Sequence, residues 1–202
     1  IGLGHLDRQA SNNKDGRALQ WAREEMKGDR ELCMAAVAQN WQALGYASEE
    51  MKKDAKVLLA AVQKLGLKIA NTDMNDERTL TMAAVKQKGQ ALRVVSEEMK
   101  GDRELCMAAV TQDWQALQYA SEEMKRDRDF AMAMFQGSEF GFGAFEHVPS
   151  ELKHDEEVVL ATLKANLKRW PGDKGNKHEL FVWPHIPEEL KQNPRVRSAA
   201  GF

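Results

Sequence analysis

Apolar and polar positions follow one another in short blocks along this chain, and the blocks recur about every 25 residues. The clearest copy, EEMKGDRELCMAAV, occupies residues 24–37 and recurs letter for letter at residues 97–110. Self-similarity at a fixed period of a few tens of residues indicates a stacked repeat architecture. We therefore predict repeat units at residues 18–42, 43–67, 68–90, 91–115, 116–140 and 141–167, with a partial copy from residue 178 to the C-terminus.

The first block of each unit has the pattern A-L-x-x-A, often with an aromatic residue in fourth place, as at Trp21, Tyr46 and Tyr119. This spacing puts the apolar residues on one face of a helix. The block S-E-E-M-K follows, and Pro149 and Pro187 replace its serine in the last two copies. Because proline is tolerated in the first turn of a helix but not inside it, we expect the first helix to end or kink there. E-E-M-K then begins a separate turn.

The second helix of the unit, R-E-L-C-M-A-A-V in the best copies, is apolar nearly all round for about two turns. We expect such a helix to be sandwiched between neighbours. Gly66 and Gly89 follow its end, where a left-handed cap residue is typical. Trp41 and Trp114 stand there in other units, which predicts that the turn differs between units. Residues able to cap the start of this helix are Asp29, Asp54, Asp102, Asp127, Asp155 and Asn193.

A unit of this size cannot bury its own apolar face, so stacking of neighbours has to bury it. The predicted fold is therefore all-α, an α-solenoid of about six to seven helical-hairpin repeats of about 25 residues. The predicted segments are an N-terminal extension (residues 1–16), the repeat array (17–167), an aromatic Pro/Gly-containing loop or cap (168–186) and a partial terminal repeat (187–202). The polar blocks between the apolar ones are interpreted as solvated ridges.

The pattern A-L-x-Y-A-S-E-E-M-K-x-D-R-E-x-x-x-A-A-V resembles the short helical repeat of the domain of unknown function DUF4116. The resemblance extends over residues 17–167 and the partial copy near the C-terminus. It implies a tandem array, of a kind found largely in protist and algal proteins. It implies no activity and no catalytic residues. The sequence departs from the pattern in the shortened third unit and in the aromatic insertion of the sixth, so regular stacking is least expected at those two places.

Two segments interrupt the repeats with aromatic residues. The first, FQGSEFGFGAF, covers residues 135–145, and the second, LKRWPGDKGNKHELFVWPHIP, covers residues 167–187. Glycine-rich spacing without a preceding strand does not predict a phosphate loop. Either segment can pack onto adjacent helices, the second as a cap on the open end of the array, or it can dock a partner. The candidate docking residues are Phe140, Phe142, Phe145, Trp170, Phe181 and Trp183.

Composition and charge exclude several function classes. The 29 basic and 31 acidic residues nearly cancel, so no overall field favours nucleic acid or an anionic membrane. The longest unbroken apolar run, residues 57–62, is far shorter than a membrane span. Paired glutamates recur in most units, which fits a solvated ridge better than a catalytic pair in one dry site. No nucleophile motif is visible, so we expect no enzymatic activity.

Histidine and cysteine positions predict no metal or cofactor site. His147 and His185 occupy equivalent repeat positions, and His178-Glu179 lacks the second histidine that a zinc motif needs. Cys33 and Cys106 stand at the same position of two copies, three units apart, so we expect two free, buried thiols rather than a disulfide.

By elimination, we expect a non-catalytic protein–protein interaction scaffold, an accessory subunit whose partners are proteins of a larger assembly, organellar or photosynthetic ones included. Two alternatives stay open. One is a free soluble adaptor that binds peptides on the repeat surface, and the other is an enzyme or a cofactor or pigment carrier that uses a histidine. The first residue is Ile1 rather than Met. This start leaves the compartment unknown and makes an organelle such as the plastid one candidate.

Overall fold

The protein is described by a computed structural model, in which every described element is a helix and none is a strand. This confirms the prediction of an all-helical chain of repeated helical segments. The described residues are 17–65, 76–137, 141–169 and 182–202, with the backbone alone given for Arg17, Phe142, Lys168 and Arg169. Residues 1–16 and most of the predicted loop or cap lie outside these ranges.

The α-helices alternate between short and long, and 3-10 helices stand between most of the long helices and the next short ones. The α-helices are α1 (Glu24–Lys27), α2 (Arg30–Gln39), α3 (Glu49–Lys53), α4 (Ala55–Lys64), α5 (Glu77–Gln87), α6 (Glu97–Lys100), α7 (Arg103–Gln112), α8 (Glu122–Arg126), α9 (Arg128–Gly137), α10 (Ser150–Lys153), α11 (Glu156–Arg169), α12 (Glu188–Lys191) and α13 (Pro194–Ala200). The 3-10 helices are Arg17–Trp21, Trp41–Tyr46, Gly89–Val94, Trp114–Tyr119, Gly141–His147 and Trp183–His185.

One repeat is thus a 3-10 helix, a one-turn α-helix and a long α-helix, rather than two α-helices. The A-L-x-x-A block forms the 3-10 helix because it is short and closed at both ends. Asn40 precedes the second copy in an extended conformation, and its side chain accepts the N–H of Gln42. Ser48 follows, also extended, and caps α3 by accepting the N–H of Met51. About six residues remain between these two breaks, and 3-10 helices are frequent as short connectors of this kind, although six residues is long for one.

The predicted break at the proline positions is confirmed. Pro149 and Pro187 stand immediately before α10 and α12, with φ of −57° and −56°. Proline suits this position because its ring fixes φ near −65° and the first amides of a helix have no intrahelical acceptor. Where serine stands instead, as at Ser121, its hydroxyl accepts an amide of the first turn.

All six predicted caps of the long helices are confirmed. Asp29, Asp102 and Asp127 each accept one N–H of the following turn. Asp54, Asp155 and Asn193 each accept two. A seventh cap was not predicted: Asp76 accepts the N–H of Thr79 at the start of α5.

The turn after the long helix corrects two predictions. Gly89 has no positive φ and begins a 3-10 helix, so it is not a left-handed cap, and Gly66 lies outside the described residues. The turn is also nearly the same before Trp41, Gly89 and Trp114. The preceding residues Asn40, Lys88 and Asp113 have φ between −150° and −144° and ψ between 101° and 111°. Extended backbone is open to any residue, so neither glycine nor a special turn is required there.

The chain divides into two compact units, Ile1–Lys100 and Gly101–Phe202, each with its own buried residues. Both cores are built from the same repeat positions. In the first unit the largest fully buried side chains are Leu19, Leu44, Leu80 and Leu92. In the second unit they are Leu105, Leu117, Phe130, Met134, Phe135, Phe145 and Leu163.

Candidate interaction surfaces

Two of the candidate docking residues are buried inside the second compact unit. Phe145 is fully buried and lies against Phe135, with ring centroids 6.1 Å apart. Trp183 is 9% exposed, and its indole meets the ring of Phe202 edge to face at 5.0 Å. Both side chains therefore serve the packing of the chain itself, and neither is available as an exposed anchor.

The other candidates cannot be placed. Phe140, Trp170 and Phe181, and the side chain of Phe142, lie outside the described residues. Docking through the two aromatic segments stays a prediction for these four residues. Burial of Phe145 and Trp183 agrees with the alternative that the aromatic residues pack onto adjacent helices.

Successive repeats are joined by a recurrent contact between an arginine and the aspartate that caps the next long helix. Arg30 at the start of α2 donates from Nε to Oδ2 of Asp54, at 2.7 Å. Arg103 reaches Asp127 at 2.9 Å, and Arg128 reaches Asp155 at 2.7 Å. Each of these aspartates therefore accepts hydrogen bonds from two sources, the first amides of its own helix and the guanidinium of the preceding repeat.

This double use lowers the pKa of two capping carboxyls, those of Asp54 and Asp155. The guanidinium of Arg128 holds the pKa of Asp155 below its ordinary value, and the N–H of Val158 adds to this. At Asp54 desolvation alone would raise the pKa, but hydrogen bonds to the carboxylate lower it overall. A carboxylate with a lowered pKa contributes stability that is present above its ordinary pKa and lost as the pH falls through the lowered one.

The last repeat reverses the direction of this contact. Arg195 in α13 donates to Glu156 and Glu157 of the preceding repeat, at 2.5 Å and 3.0 Å. Asn193, which caps α13, also donates from its amide to Glu156 at 3.0 Å. The seventh unit is therefore attached by the same kind of interaction, with the acidic partner now on the earlier repeat.

The shortened third unit changes the stacking as the sequence analysis expected. The 3-10 helices Trp41–Tyr46 and Gly89–Val94 are in direct contact, although the sequence repeat places another copy between them. A side-chain Cβ on Gly45 would lie 3.1 Å from Cγ1 of Val94. Lys53 of α3 also pairs with Glu98 of α6 at 2.6 Å. Among the described residues, the third unit thus contributes α5 and the first two residues of the 3-10 helix Gly89–Val94.

The short helices carry a solvated glutamate ridge. In five of them the first glutamate pairs with the lysine three residues later, at 2.6–2.8 Å, and remains exposed. Such pairs stabilise a helix by only about 0.2–0.5 kcal/mol each. The pairs are Glu24–Lys27, Glu49–Lys52, Glu97–Lys100, Glu122–Lys125 and Glu188–Lys191.

The placed histidines take part in packing and hydrogen bonding. His147 stacks on Trp114, with ring centroids 5.7 Å apart. Gly143 also lies close to this indole, since a Cβ on Gly143 would lie 2.9 Å from the ring of Trp114. Nδ1 of His154 lies 2.7 Å from the carbonyl oxygen of Ser150. Within the described ranges, no cluster of three histidine, cysteine or acidic side chains could hold a metal ion.

Both cysteines are free and fully buried, as the sequence predicted. Burial raises the pKa of the Cys33 thiol to about 11, and the charge of nearby Asp29 adds to the effect. Burial likewise raises the pKa of the Cys106 thiol to about 12, with a smaller contribution from Asp102. Neutral, buried thiols are poor nucleophiles and poor metal ligands, so neither cysteine has the environment of a reactive site.

Trp21 was not among the predicted docking residues, yet it is the one large apolar side chain exposed in the described parts of the chain, at 77%. It stands in fourth place of the first A-L-x-x-A block. The equivalent Tyr46 and Tyr119 are partly buried, and the equivalent Val94 is 3% exposed. Equivalent positions of the repeat therefore differ in exposure, which the residue type alone does not predict.

Removal of an aspartate that joins two repeats tests whether these contacts stabilise the fold. We expect Asp54→Ala to lower the free energy of unfolding by up to about 2 kcal/mol, because the cap is worth about 1 kcal/mol and the arginine pair adds up to about 1. Urea unfolding followed by circular dichroism measures the change.

The matched control is Asp29→Ala, which removes the same kind of cap from α2. Asp29 has no arginine or lysine partner in the described part of the chain. We expect this variant to lose only about 1 kcal/mol. Equal losses at both positions would contradict a stabilising role of the Arg30–Asp54 pair.

The comparisons with known proteins agree with the repeat geometry. No helix in the described ranges combines the length and apolar character that crossing a membrane requires. No curated protein and no solved structure significantly matches this chain. Residues 11–52, 29–74, 77–125 and 102–142 each match the family model described as Domain of unknown function (DUF4116), and together they cover well over half of the chain. The chain therefore belongs to the DUF4116 family, with the matches following one another in tandem as in a repeat array.

Proposed function

We propose that this chain is a non-catalytic scaffold, an α-solenoid of stacked helical repeats that holds protein subunits together as an accessory part of a larger assembly. The observation that carries the proposal is the recurrent contact between repeats. Arg30–Asp54 in one compact unit, and Arg103–Asp127 and Arg128–Asp155 in the other, join neighbouring repeats through the same positions. A unit that binds mainly its sequence neighbours is the building principle of a solenoid.

The distribution of polar and apolar residues supports the same proposal. The apolar positions of each repeat, such as Leu44 and Leu117, are buried. The short helices keep their glutamates in solvent. Such an arrangement provides a polar surface on which the same groups recur, suited to partners that make many distributed contacts.

The adaptor alternative needs an apolar stripe that recurs once per repeat. In the described parts of the chain Trp21 alone among the large apolar side chains is exposed, so this feature does not recur. The alternative of a histidine-dependent enzyme or carrier gains nothing from His147, whose ring is stacked on Trp114. We therefore favour the accessory subunit.

Native size separation of an extract from the source cells, followed by mass spectrometry, tests this proposal. We expect the chain to migrate with a fixed set of other proteins, far above the mass of the monomer. The first assemblies to examine are organellar, photosynthetic ones included, because the family resemblance extends to algal and protist proteins. A photo-cross-linker attached at Glu123→Cys on α8, an exposed position, should capture a subunit of that set.

The native chain without the Glu123→Cys substitution provides the control for this experiment. Treated with the same cross-linker, it should capture nothing, since Cys33 and Cys106 are fully buried. Migration of the native chain as a free monomer would contradict the accessory-subunit proposal and leave the free adaptor as the better explanation.

A further inference from the structure

Two adjacent long helices of the second compact unit, α7 and α9, each keep one side out of the core. The residues on this side are Glu104, Met107, Ala108 and Thr111 in α7, and Asp129, Met132, Ala133 and Gln136 in α9. In each helix they stand at i, i+3, i+4 and i+7, so they share one side, and all are exposed or partly exposed. Because α7 and α9 are in contact, the two sides form one surface, here called the α7–α9 face.

The centre of the α7–α9 face is apolar and adaptable. Met107 and Met132 are partly exposed at equivalent places of the repeat, and an alanine follows each. Unbranched methionine side chains adapt to different surfaces, and small residues allow a second helix to approach closely. The hydroxyl of Thr111 donates to the carbonyl oxygen of Met107 at 2.8 Å, so it is satisfied within α7. Leu160, at the same place of α11, is only 6% exposed, so this place of the repeat can be buried.

One edge of the α7–α9 face is acidic. Glu104 and Asp129 stand exposed in the second place of their helices, and Glu157 holds that place in α11. The chain itself supplies a cation to Glu157, since Arg195, in the second place of α13, donates to it at 3.0 Å. No ion pair joins Asp129 to another described residue. An arginine from another helix is therefore the group that pairs with a carboxylate at this place of the repeat.

The first compact unit keeps the apolar places but not the acidic edge. Leu59 in α4 and Met82 in α5 are partly exposed, like Met107 and Met132. The second place of α4 is the exposed Lys56, however, where α7 and α9 have an acid. Among the described residues, two adjacent long helices that combine an acidic second place with a partly exposed methionine are found at α7 and α9.

We propose that the α7–α9 face docks a basic amphipathic helix of another protein. The apolar side of that helix would lie across Met107 and Met132, and its arginine or lysine side chains would pair with Glu104 and Asp129. Amphipathic helices bind other proteins in this way, through apolar anchors at i, i+3 or i+4, and i+7. Charge complementarity selects the occupant, because the acidic edge attracts a basic helix and repels an acidic one. The inference deepens the scaffold proposal and rests on it, since it names the kind of subunit that the scaffold would hold.

The test uses the purified full chain, labelled with 13C at its methionine methyl groups, and a synthetic helical peptide of leucine, alanine and arginine with its leucines on one side. We expect the methyl signals of Met107 and Met132 to shift on titration, with a micromolar dissociation constant that rises with salt. The signals of Met34 and Met82, at the equivalent place in the first unit, should not shift. A peptide with glutamate in place of arginine should not bind. Signals of Met107 and Met132 that do not respond to the arginine peptide overturn the proposal.

Charge reversal tests the acidic edge. Asp129→Lys should raise the dissociation constant of the arginine peptide at least about tenfold, because it places like charges opposite each other, and should allow the glutamate peptide to bind. Glu123→Lys makes the same charge change on an exposed part of α8 and is the matched control. It should alter the dissociation constant by less than about twofold, because exposed charges away from the contact are screened. Equal effects of the two variants contradict the proposed pairing with Asp129.

A methionine substitution tests the apolar centre. Met132→Ser should weaken binding several-fold while the circular dichroism spectrum stays that of the native chain. Met34→Ser, at the equivalent and equally half-buried place of α2, should leave binding unchanged. Loss of binding in both variants, or in neither, overturns the placement of the peptide on the α7–α9 face.

Other outcomes separate this inference from the scaffold proposal. Shifts of the Met107 and Met132 signals with the concentration of the chain alone would mean that a second copy covers the face, and would overturn the proposal. A chain that migrates in a large assembly, but whose methionine signals do not respond to the arginine peptide, contradicts the docking site only. A chain that binds the peptide as expected, but migrates from the extract as a free monomer, contradicts the accessory-subunit function instead.

Discussion

Replacement of Phe145 by alanine is expected to lower the free energy of unfolding of the second compact unit by about 3–5 kcal/mol. Phe145 is fully buried, lies against Phe135 and has the amine of Lys153 5.9 Å from its ring centroid. Truncation removes the transfer free energy of the ring and leaves a cavity that neighbouring helices can fill only in part. Urea unfolding followed by tryptophan fluorescence measures the loss.

A matched control separates burial from aromatic character. Trp21→Ala removes a larger ring, but from a side chain that is 77% exposed. We expect it to change the free energy of unfolding by less than about 0.5 kcal/mol. If Phe145→Ala is equally mild and instead releases a partner from the native assembly, Phe145 is a docking anchor and its packing role is wrong.

The burial of Phe145 could have been derived from the repeat alone. The sequence analysis placed His147 and His185 at equivalent positions, two residues before a proline. Counting back two more residues places Phe145 and Trp183 at the buried leucine position of the A-L-x-x-A block, where Leu44 and Leu117 stand. The density of aromatic residues and glycines suggested an insertion. The unbroken register across it indicated a normal core position with a larger side chain.

The caps were predictable because they depend on local chemistry. The side chain of an aspartate or asparagine just before a long apolar helix is placed to accept hydrogen bonds from the first amides of that helix. All six predicted caps do so. The second role of Asp54, Asp127 and Asp155 was not predicted. It arises only when the next repeat stacks at a particular height, which the pattern of a single repeat does not encode.

The choice between 3-10 and α geometry was missed for a related reason. The spacing of apolar residues in A-L-x-x-A fits either helix over so few residues. The decision is made by the flanking residues: the side chain of Asn40 caps the 3-10 helix at its start, and that of Ser48 caps the helix that follows it. The error about Gly89 has the same origin, because extended backbone before the 3-10 helix made a left-handed residue unnecessary.

The exposure of Trp21 depends on its position in the array as well as on its residue type. From the sequence, an aromatic residue in fourth place of the A-L-x-x-A block is predicted to be a core residue in every copy. Trp21 is nevertheless 77% exposed, whereas the equivalent Tyr46 and Tyr119 are partly buried and Val94 is buried. Exposure at this place is therefore set by the neighbours of each repeat and not by the motif alone.

The two thiols should resist alkylation in the folded protein by more than a thousandfold relative to the unfolded chain. With a pKa of about 12, the Cys106 thiol is ionised to only about one part in ten thousand at pH 8, against about a quarter for a free cysteine. Full burial slows the reagent further. Cys33 lies in the first compact unit and Cys106 in the second, so the single-cysteine variants Cys33→Ala and Cys106→Ala report the opening of each unit separately.

Alkaline pH provides an independent test of the same burial. A raised pKa of Cys106 means that the unfolded state loses the thiol proton first, so stability is retained below the ordinary value of 9.0 and falls as the pH rises toward 12. The expected slope approaches about 1.4 kcal/mol per pH unit for each thiol. In Cys106→Ala, the free energy of unfolding of the second unit should fall less steeply with pH, because the contribution of this thiol is removed. Rapid alkylation of native protein at pH 8, or an unchanged slope in this variant, would mean that the helix carrying Cys106 opens readily and that the core of the repeat is not closed in solution.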